Sequence, residues 1–273
     1  MIRIVTDSSA DLSPEVAAEH RIRVVPLTIR FGDDEFVDQV DLTTAEFWER
    51  LRSADVLPTT AAPSAGAFQT AYQDLAGAGA DGVVVVCISS ELSGTYQSAS
   101  LAASQAPIPV RVIDSRTASL PLGLTAIAAA DAARLGADLT DVADAVSGSH
   151  ADLLATLDTL ENLQKGGRIG AAQAFFGGLL NVKPLITFTD GAVAAVGRVR
   201  TRRKALAALV DWTAAQIDIS RLGVVHGDAP DLDAFLSQLH ERLPEPTPLV
   251  ALAGAVIGTH AGRGVVGVAI TRS

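Results

Sequence analysis

The sequence predicts an α/β protein of two domains: an N-terminal domain on a parallel sheet over residues 1–148, and a C-terminal α+β domain with a mixed sheet over residues 149–273. Three observations carry this expectation. Apolar runs of β-formers alternate with helical stretches through the first half, the order that produces a parallel sheet with helical crossovers. The dipeptide Asp190-Gly191 sits between two apolar runs of the second half, a hairpin signal that brings antiparallel strands into a sheet. Between the two regions, Ser147-Gly148-Ser149 has the small, polar composition of a linker.

In chain order, residues 2–5 form the first apolar run and end in Thr6-Asp7-Ser8-Ser9. Residues 14–19 follow as a helix, and residues 23–31 read as a strand leading into the polar turn Gly32-Asp33-Asp34-Glu35. A threonine cap opens a helix over 44–53, and Pro58 and Pro63 hold the segment around them extended until Ser64 caps the helix 65–76. Residues 83–88 are β-branched at five of six positions, which suits a strand buried on both faces. Ser89, Ser90, Ser93, Gly94 and Thr95 follow at once, and a helix runs over 95–104. Residues 110–113 form a third strand ending in Asp114-Ser115, and the alanine-rich stretch 119–146 is helical with a break at Gly136. Parallel strands bring the three polar tails to one crest of the sheet, where Asp7 and Asp114 are expected to cap the turns that follow them.

In the second half, residues 153–160 read as a strand, 161–170 as a helix or turn ending in glycines, and 171–180 as a helix. Strands over 185–189 and 193–199 flank the hairpin turn. Helices over 203–216 and 232–242 then alternate with strands over 222–226, 249–253 and 265–270.

Composition narrows the function. The net charge of −10 opposes a polyanionic partner, so nucleic acid is not expected. Cys87, the only cysteine, falls in a buried strand and excludes an intramolecular disulfide. The chain enters a strand at once, without a basic start and apolar run, and no apolar stretch reaches the roughly 20 residues that span a bilayer. A cytoplasmic location without stable membrane insertion is expected.

Four constellations stand out. The first is Ser93-Gly94-Thr95, where the hydroxyl and the free N–H groups of a helix start point at one spot and favour a small anion. Helix capping by Ser93 is the purely structural reading. The second is the glycine-rich loop 258–264, in which His260 can hydrogen-bond an anion or act as a base. The third, Lys165-Gly166-Gly167-Arg168-Ile169-Gly170, lacks the Walker spacing and reads as a glycine-rich helix boundary. The fourth places five basic residues, Arg198, Arg200, Arg202, Arg203 and Lys204, within seven positions of an acidic chain. It is either a charged edge strand or a docking patch for an acidic partner. The order Ser93, Asp114, His260 matches that of an α/β-hydrolase triad, but Glu91 stands two before the serine, where the nucleophile elbow needs a small residue. The five histidines are scattered, with no metal-binding spacing.

Seven segments together resemble the DegV family: VTDSSADLS (5–13), PTTAAPS (58–64), ISSELSGTYQSA (88–99), VIDS (112–115), LQKGGRIG (163–170), VGRVRTRRKAL (196–206) and IGTHAGRGVVGV (257–268). The resemblance spans nearly the whole chain. It implies two α/β domains with a long-chain fatty acid between them. The carboxylate is then held by Thr60 and by Ser93 with Gly94, with His260 nearby. It also implies the acyl-carrying subunit of a fatty acid kinase, whose separate catalytic subunit supplies ATP, so that this chain is a carrier and needs no cofactor. Arg198, Arg200 and Arg202 are then candidates for docking the kinase, with Arg168 a further candidate. Two departures bear on the headgroup: Ala61-Ala62 stands where the family often has Ser-Gln, and Arg263 where it often has proline. The competing function is a serine esterase acting on a lipid ester through Ser93.

Overall fold

The computed structural model describes residues 1–148, 151–175 and 182–272. The first half contains β1 (Ile2–Asp7), α1 (Pro14–Glu19), β2 (Ile22–Val25), β3 (Thr28–Phe31), β4 (Asp34–Val37), α2 (Thr44–Ser53) and β5 (Thr59–Ala61). It continues with α3 (Ala65–Gly77), β6 (Gly82–Cys87), α4 (Thr95–Ala103), β7 (Val110–Asp114), α5 (Leu120–Arg134) and α6 (Leu139–Gly148). The second half contains β8 (Ala151–Thr156), α7 (Glu161–Lys165), β9 (Lys183–Thr189), β10 (Ala192–Val199) and α8 (Arg202–Ala214). It closes with β11 (Ile219–His226), α9 (Leu232–Arg242), β12 (Leu249–Leu252), α10 (Ala255–Ala261) and β13 (Val266–Arg272).

The first sheet has the order β2-β1-β6-β7 with every pair parallel, as helix-crossover connections require. All six residues of β6 are buried, which accounts for its uninterrupted apolar sequence. The second sheet has the order β10-β9-β8-β13-β11-β12, parallel only between β11 and β12 and therefore mixed. The Asp190-Gly191 hairpin joins β9 to β10 with both turn residues at positive φ. Its tip reaches the other half, where a Cβ on Gly191 would lie 2.5 Å from Ser89 Oγ.

Four local expectations are corrected. The strand read over 23–31 is two strands, because Pro26 has no N–H for a ladder. Only β2 joins the parallel sheet, while β3 pairs with β4 and β5 in a small antiparallel sheet. The strand read over 153–160 ends at Thr156, where the chain turns through Asp158 and Thr159 although Leu157 and Leu160 stay buried. Where the helix expected over 171–180 falls on described residues, Gly170–Phe175 form a 3-10 segment instead. Gly170 there has φ +51, and a Cβ on it would strike the Val193 carbonyl. The remainder of that helix, with Phe176, Leu179 and Leu180, lies outside the described residues, as does Ser149 of the linker.

The fourth correction concerns the glycine-rich segment near the C-terminus. Its first part is no loop: Ala255–Ala261 is a helix, with His260 in its last turn, and only the residues from Gly262 (φ +75) to β13 form a turn. Gly258 serves packing, since a Cβ there would lie 2.4 Å from the Phe47 ring and 2.9 Å from Trp48. One buried apolar cluster runs from Ile4, Phe47 and Val86 of the first half to Leu153, Val225 and Val256 of the second. The halves thus share a core. Trp48 Nε1 also donates to the Ala253 carbonyl at 2.8 Å across the same boundary.

Candidate functional site

The three polar tails meet at the crest of the parallel sheet, and two of the acids there serve the fold itself. Asp7 accepts from the Ile88 N–H at 2.8 Å and the Ser9 N–H at 3.1 Å, besides the Ser9 hydroxyl, and so ties the end of β1 to that of β6. Burial pushes its carboxyl pKa up. Asp114 accepts from Ser90 through backbone and hydroxyl and from the Arg116 N–H. Both acids therefore hold the turns that follow β1, β6 and β7.

Ser93 lies in the turn between β6 and α4. Gly94, not Ser93, is the residue before the first turn of α4, and it makes no side-chain cap. The Ser93 hydroxyl instead pairs with Thr95 Oγ1 at 2.8 Å and accepts weakly from the Thr95 N–H at 3.4 Å. The simple capping role is thus displaced by one residue.

Thr60 sits in β5 opposite Ile29 of β3, so the small antiparallel sheet sets its position. Its Oγ1 is 3.0 Å from His260 Nε2, a contact across 200 positions of sequence. His260 is held on its other side by Gly166, where a Cβ would lie 2.4 Å from Nδ1. Nδ1 itself is buried without a hydrogen-bond partner. Burial first, and the nearby Arg168 cation second, lower the His260 pKa to about 4, so the imidazole is neutral at pH 7.

Thr60, Ser93, Gly94 and His260 all line one cavity between the two sheets, enclosing about 920 Å³ of space that is partly open to solvent. Its walls are apolar and come from both halves: Leu27, Ile88 and Ala118 on one side, Leu153, Phe188 and Val225 on the other. The polar groups are few. A concave, mostly apolar space with a few polar groups is the form of a site for an amphiphilic small molecule. Thr60, Arg168 and His260 also border a second, open cleft together with Lys165 and Thr59.

Two residues of the cavity escape a reading of the sequence. Arg168, a candidate there only for docking, lines the cavity, and its guanidinium donates to the carbonyls of Leu92 (3.1 Å) and Gly166 (2.6 Å). Ser119 is buried at φ +61 and lines the cavity as well. The signal for Arg168 is the glycine two positions before it, since Gly166 lets the backbone come close to His260. Of the two departures, Ala62 lines the cavity, whereas Arg263 is exposed and donates twice to Asp228.

The basic stretch divides. Arg198 and Arg200 are exposed on and just after β10, the edge strand of the mixed sheet. Arg202 is bound internally, since it donates through two nitrogens to Asp231 at 2.9 and 3.0 Å and through the third to the Gly264 carbonyl. No Ser-His-Asp relay is assembled. Ser93 pairs with Thr95, His260 Nε2 with Thr60, and no carboxylate orients His260 Nδ1. Among the described residues, no group of three or more His, Cys, Asp or Glu is placed to hold a metal ion.

A family model described as "Uncharacterised protein, DegV family" matches residues 1–273. The chain belongs to the DegV family. A DegV domain-containing protein of Streptomyces coelicolor is 39% identical over 279 residues, covering 99% of this chain and 98% of the relative. A solved DegV family protein from Thermus thermophilus, described for its fatty acid binding, is 35% identical with a TM-score of 0.90 over 100% of this chain and 99% of its own. A stearic acid-binding protein from Eubacterium ventriosum superposes with a TM-score of 0.91 at 25% identity, over 100% of this chain and 98% of its own. This DegV chain therefore shares its whole length and fold with proteins described as binding fatty acids. Among the described residues no helix is long and apolar enough to cross a membrane.

Proposed function

We propose that this DegV protein is a cytoplasmic carrier that binds a long-chain fatty acid in the cavity between the halves, residues 1–148 and 149–273. The observation that carries the reading is a single apolar cavity, lined from both halves, whose few polar groups include Thr60, Ser93, Arg168 and His260. Burying about 14 methylenes at about 0.8 kcal/mol each gives an upper limit of roughly 11 kcal/mol before ordering costs. The tail supplies affinity, and the polar groups fix the carboxylate.

The neutral imidazole suggests how. With the proton on Nε2, His260 donates to Thr60 Oγ1 and leaves the Thr60 O–H free to donate to the carboxylate. Ser93 adds a second hydroxyl, and the Arg168 cation lies near enough to balance the negative charge. The open cleft beyond Thr60 and His260, bordered by Lys165 and Arg168, is the side on which a partner kinase reaches the carboxylate to form an acyl phosphate. Arg198 and Arg200 are exposed and are the candidates for docking such a partner. A carrier also fits His260 better than an esterase, because its Nδ1 has no carboxylate to orient it.

The test is binding of palmitate to Thr60→Ala and Ser93→Ala. Each loses a hydrogen bond to a charged group, roughly 1.5–3 kcal/mol or about 10- to 150-fold in affinity, without unfolding. Unchanged affinity in both variants would overturn the assignment. Mass spectrometry after incubation with an activated lipid ester separates the esterase, since only that function leaves an acyl group on Ser93.

A further inference from the structure

Helix α10, which carries His260, belongs to the second half of the chain, yet its entry is held by the first. Asp11 Oδ1 accepts the N–H of Gly254, the residue that opens α10, at 2.8 Å. Its Oδ2 accepts the Ser119 hydroxyl at 2.5 Å. Asp11 is fully enclosed, although nothing in the proposed chemistry uses it. Both Asp11 (φ +52) and Ser119 (φ +61) adopt positive φ, where side-chain-bearing residues are uncommon. Such strain persists only where surrounding contacts over-determine it. Here the two residues bond to each other, and Asp11 bonds to the start of α10.

The geometry downstream is short and stiff. His260 follows Gly254 by six residues, about 9 Å along a helix axis. The middle of this short helix rests on the rings of Phe47 and Trp48 at Gly258, a fulcrum about which Ala255–Ala261 tilts as one body. A displacement at Gly254 is therefore passed to the imidazole that meets Thr60.

We infer that Asp11 is a positioning residue of the carboxylate site: it clamps the start of α10 to Ser119 and so sets where His260 meets Thr60. The site is then complete only when the two halves are closed on each other. This inference rests on the fatty acid reading for its binding consequence alone, since the placement of His260 is measurable without ligand.

The experiment compares Asp11→Ala, Asp11→Asn and Gly254→Ala with the unmodified protein, by imidazole NMR titration of His260 and by palmitate affinity. Asn keeps an oxygen for the Gly254 N–H and tolerates positive φ; Ala keeps neither. A Cβ on Gly254 would lie 3.2 Å from Asp11 Oδ1 and presses on the same bond without removing it. In Asp11→Ala the His260 midpoint is expected to rise from about 4 toward the ordinary value. Palmitate affinity there falls about tenfold or more, while Asp11→Asn stays within about threefold. Gly254→Ala moves the midpoint in the same direction by less. An unmoved His260 midpoint in folded Asp11→Ala overturns the inference, even if that variant is less stable. If Asp11→Ala does not fold, an unmoved midpoint in Gly254→Ala overturns it instead. Failure of the unmodified protein to bind palmitate would refute the carboxylate reading and leave the titration to decide the clamp.

Discussion

Gly166→Ala probes the seat of His260 with one methyl group. Gly166 closes α7 at φ −79 and ψ −4, a backbone that alanine adopts freely, so the change introduces no backbone strain. The added Cβ would lie 2.4 Å from His260 Nδ1 and 2.8 Å from Cε1, where ordinary contact begins at 3.4 Å. The ring has to move by about 1 Å, the difference between those distances. Because Cε1 links Nδ1 to Nε2, the push reaches the 3.0 Å contact with Thr60 and compresses it or swings it out of line. Losing one neutral hydrogen bond is worth about 0.5–1.5 kcal/mol, which is about 2- to 12-fold in palmitate affinity.

Calorimetric titration with palmitate measures that loss, and the imidazole resonance of His260, one of five histidines, reports the ring directly. Gly77→Ala is the control. It lies at the end of α3 with nothing within 4 Å of an added Cβ, so it is expected to stabilise the fold by about 0.4–1 kcal/mol and leave affinity unchanged. Unmodified affinity in Gly166→Ala, with the His260 signal at its original position, would refute the argument that this glycine is required by the imidazole.

Three further outcomes follow from the same geometry. The His260 pKa lies near 4 in the folded protein and near 6.5 when unfolded, so its contribution to stability is full above pH 6.5 and is lost as pH falls toward 4, by about 3 kcal/mol. Asp11, raised to about 8, has the opposite sign: its contribution is present at low pH and lost as pH rises through 8. The difference between the pH–stability curves of the unmodified protein and His260→Asn isolates the histidine, and parallel curves from pH 7 to 4 would contradict its burial. Arg202→Ala should cost roughly 1.5–3 kcal/mol in urea unfolding, because it leaves Asp231 without its two-nitrogen partner, while Arg200→Ala stays within about 0.5 kcal/mol. Gly191→Ala forces a side chain into φ +82 and against Ser89 Oγ, and a loss of roughly 1–3 kcal/mol in thermal unfolding is expected; no change would show that the hairpin tip does not dock on the crest.

Legibility in the residues depends on how local the cause of a feature is. The buried run at β6 and the Asp190-Gly191 turn announce themselves because burial on two faces and a two-residue hairpin leave marks within a few positions. Pro26 is such a mark too, and it outweighs the apolar run that otherwise joins β2 to β3 in one strand. The glycines around His260 suggest a loop, because glycine usually marks irregular backbone. Gly258 is there instead because Phe47 and Trp48, more than 200 positions earlier, occupy the space of its Cβ. Arg202 resembles part of a surface charge patch for a related reason, since its partner Asp231 is invisible to spacing.

The residues alone specify the two kinds of sheet, the crest where the polar tails gather, and, through the family resemblance, the candidate trio Thr60, Ser93 and His260. Three facts come from the folded chain: Thr60 and His260 touch, Gly166 lies against the imidazole while Asp11 bonds to the start of its helix, and Arg168 lines the cavity. The division follows from range. Propensity and periodicity act over a few residues, whereas a site between two halves is fixed by packing of groups far apart in sequence, whose steric and hydrogen-bond demands exist only once the halves have closed.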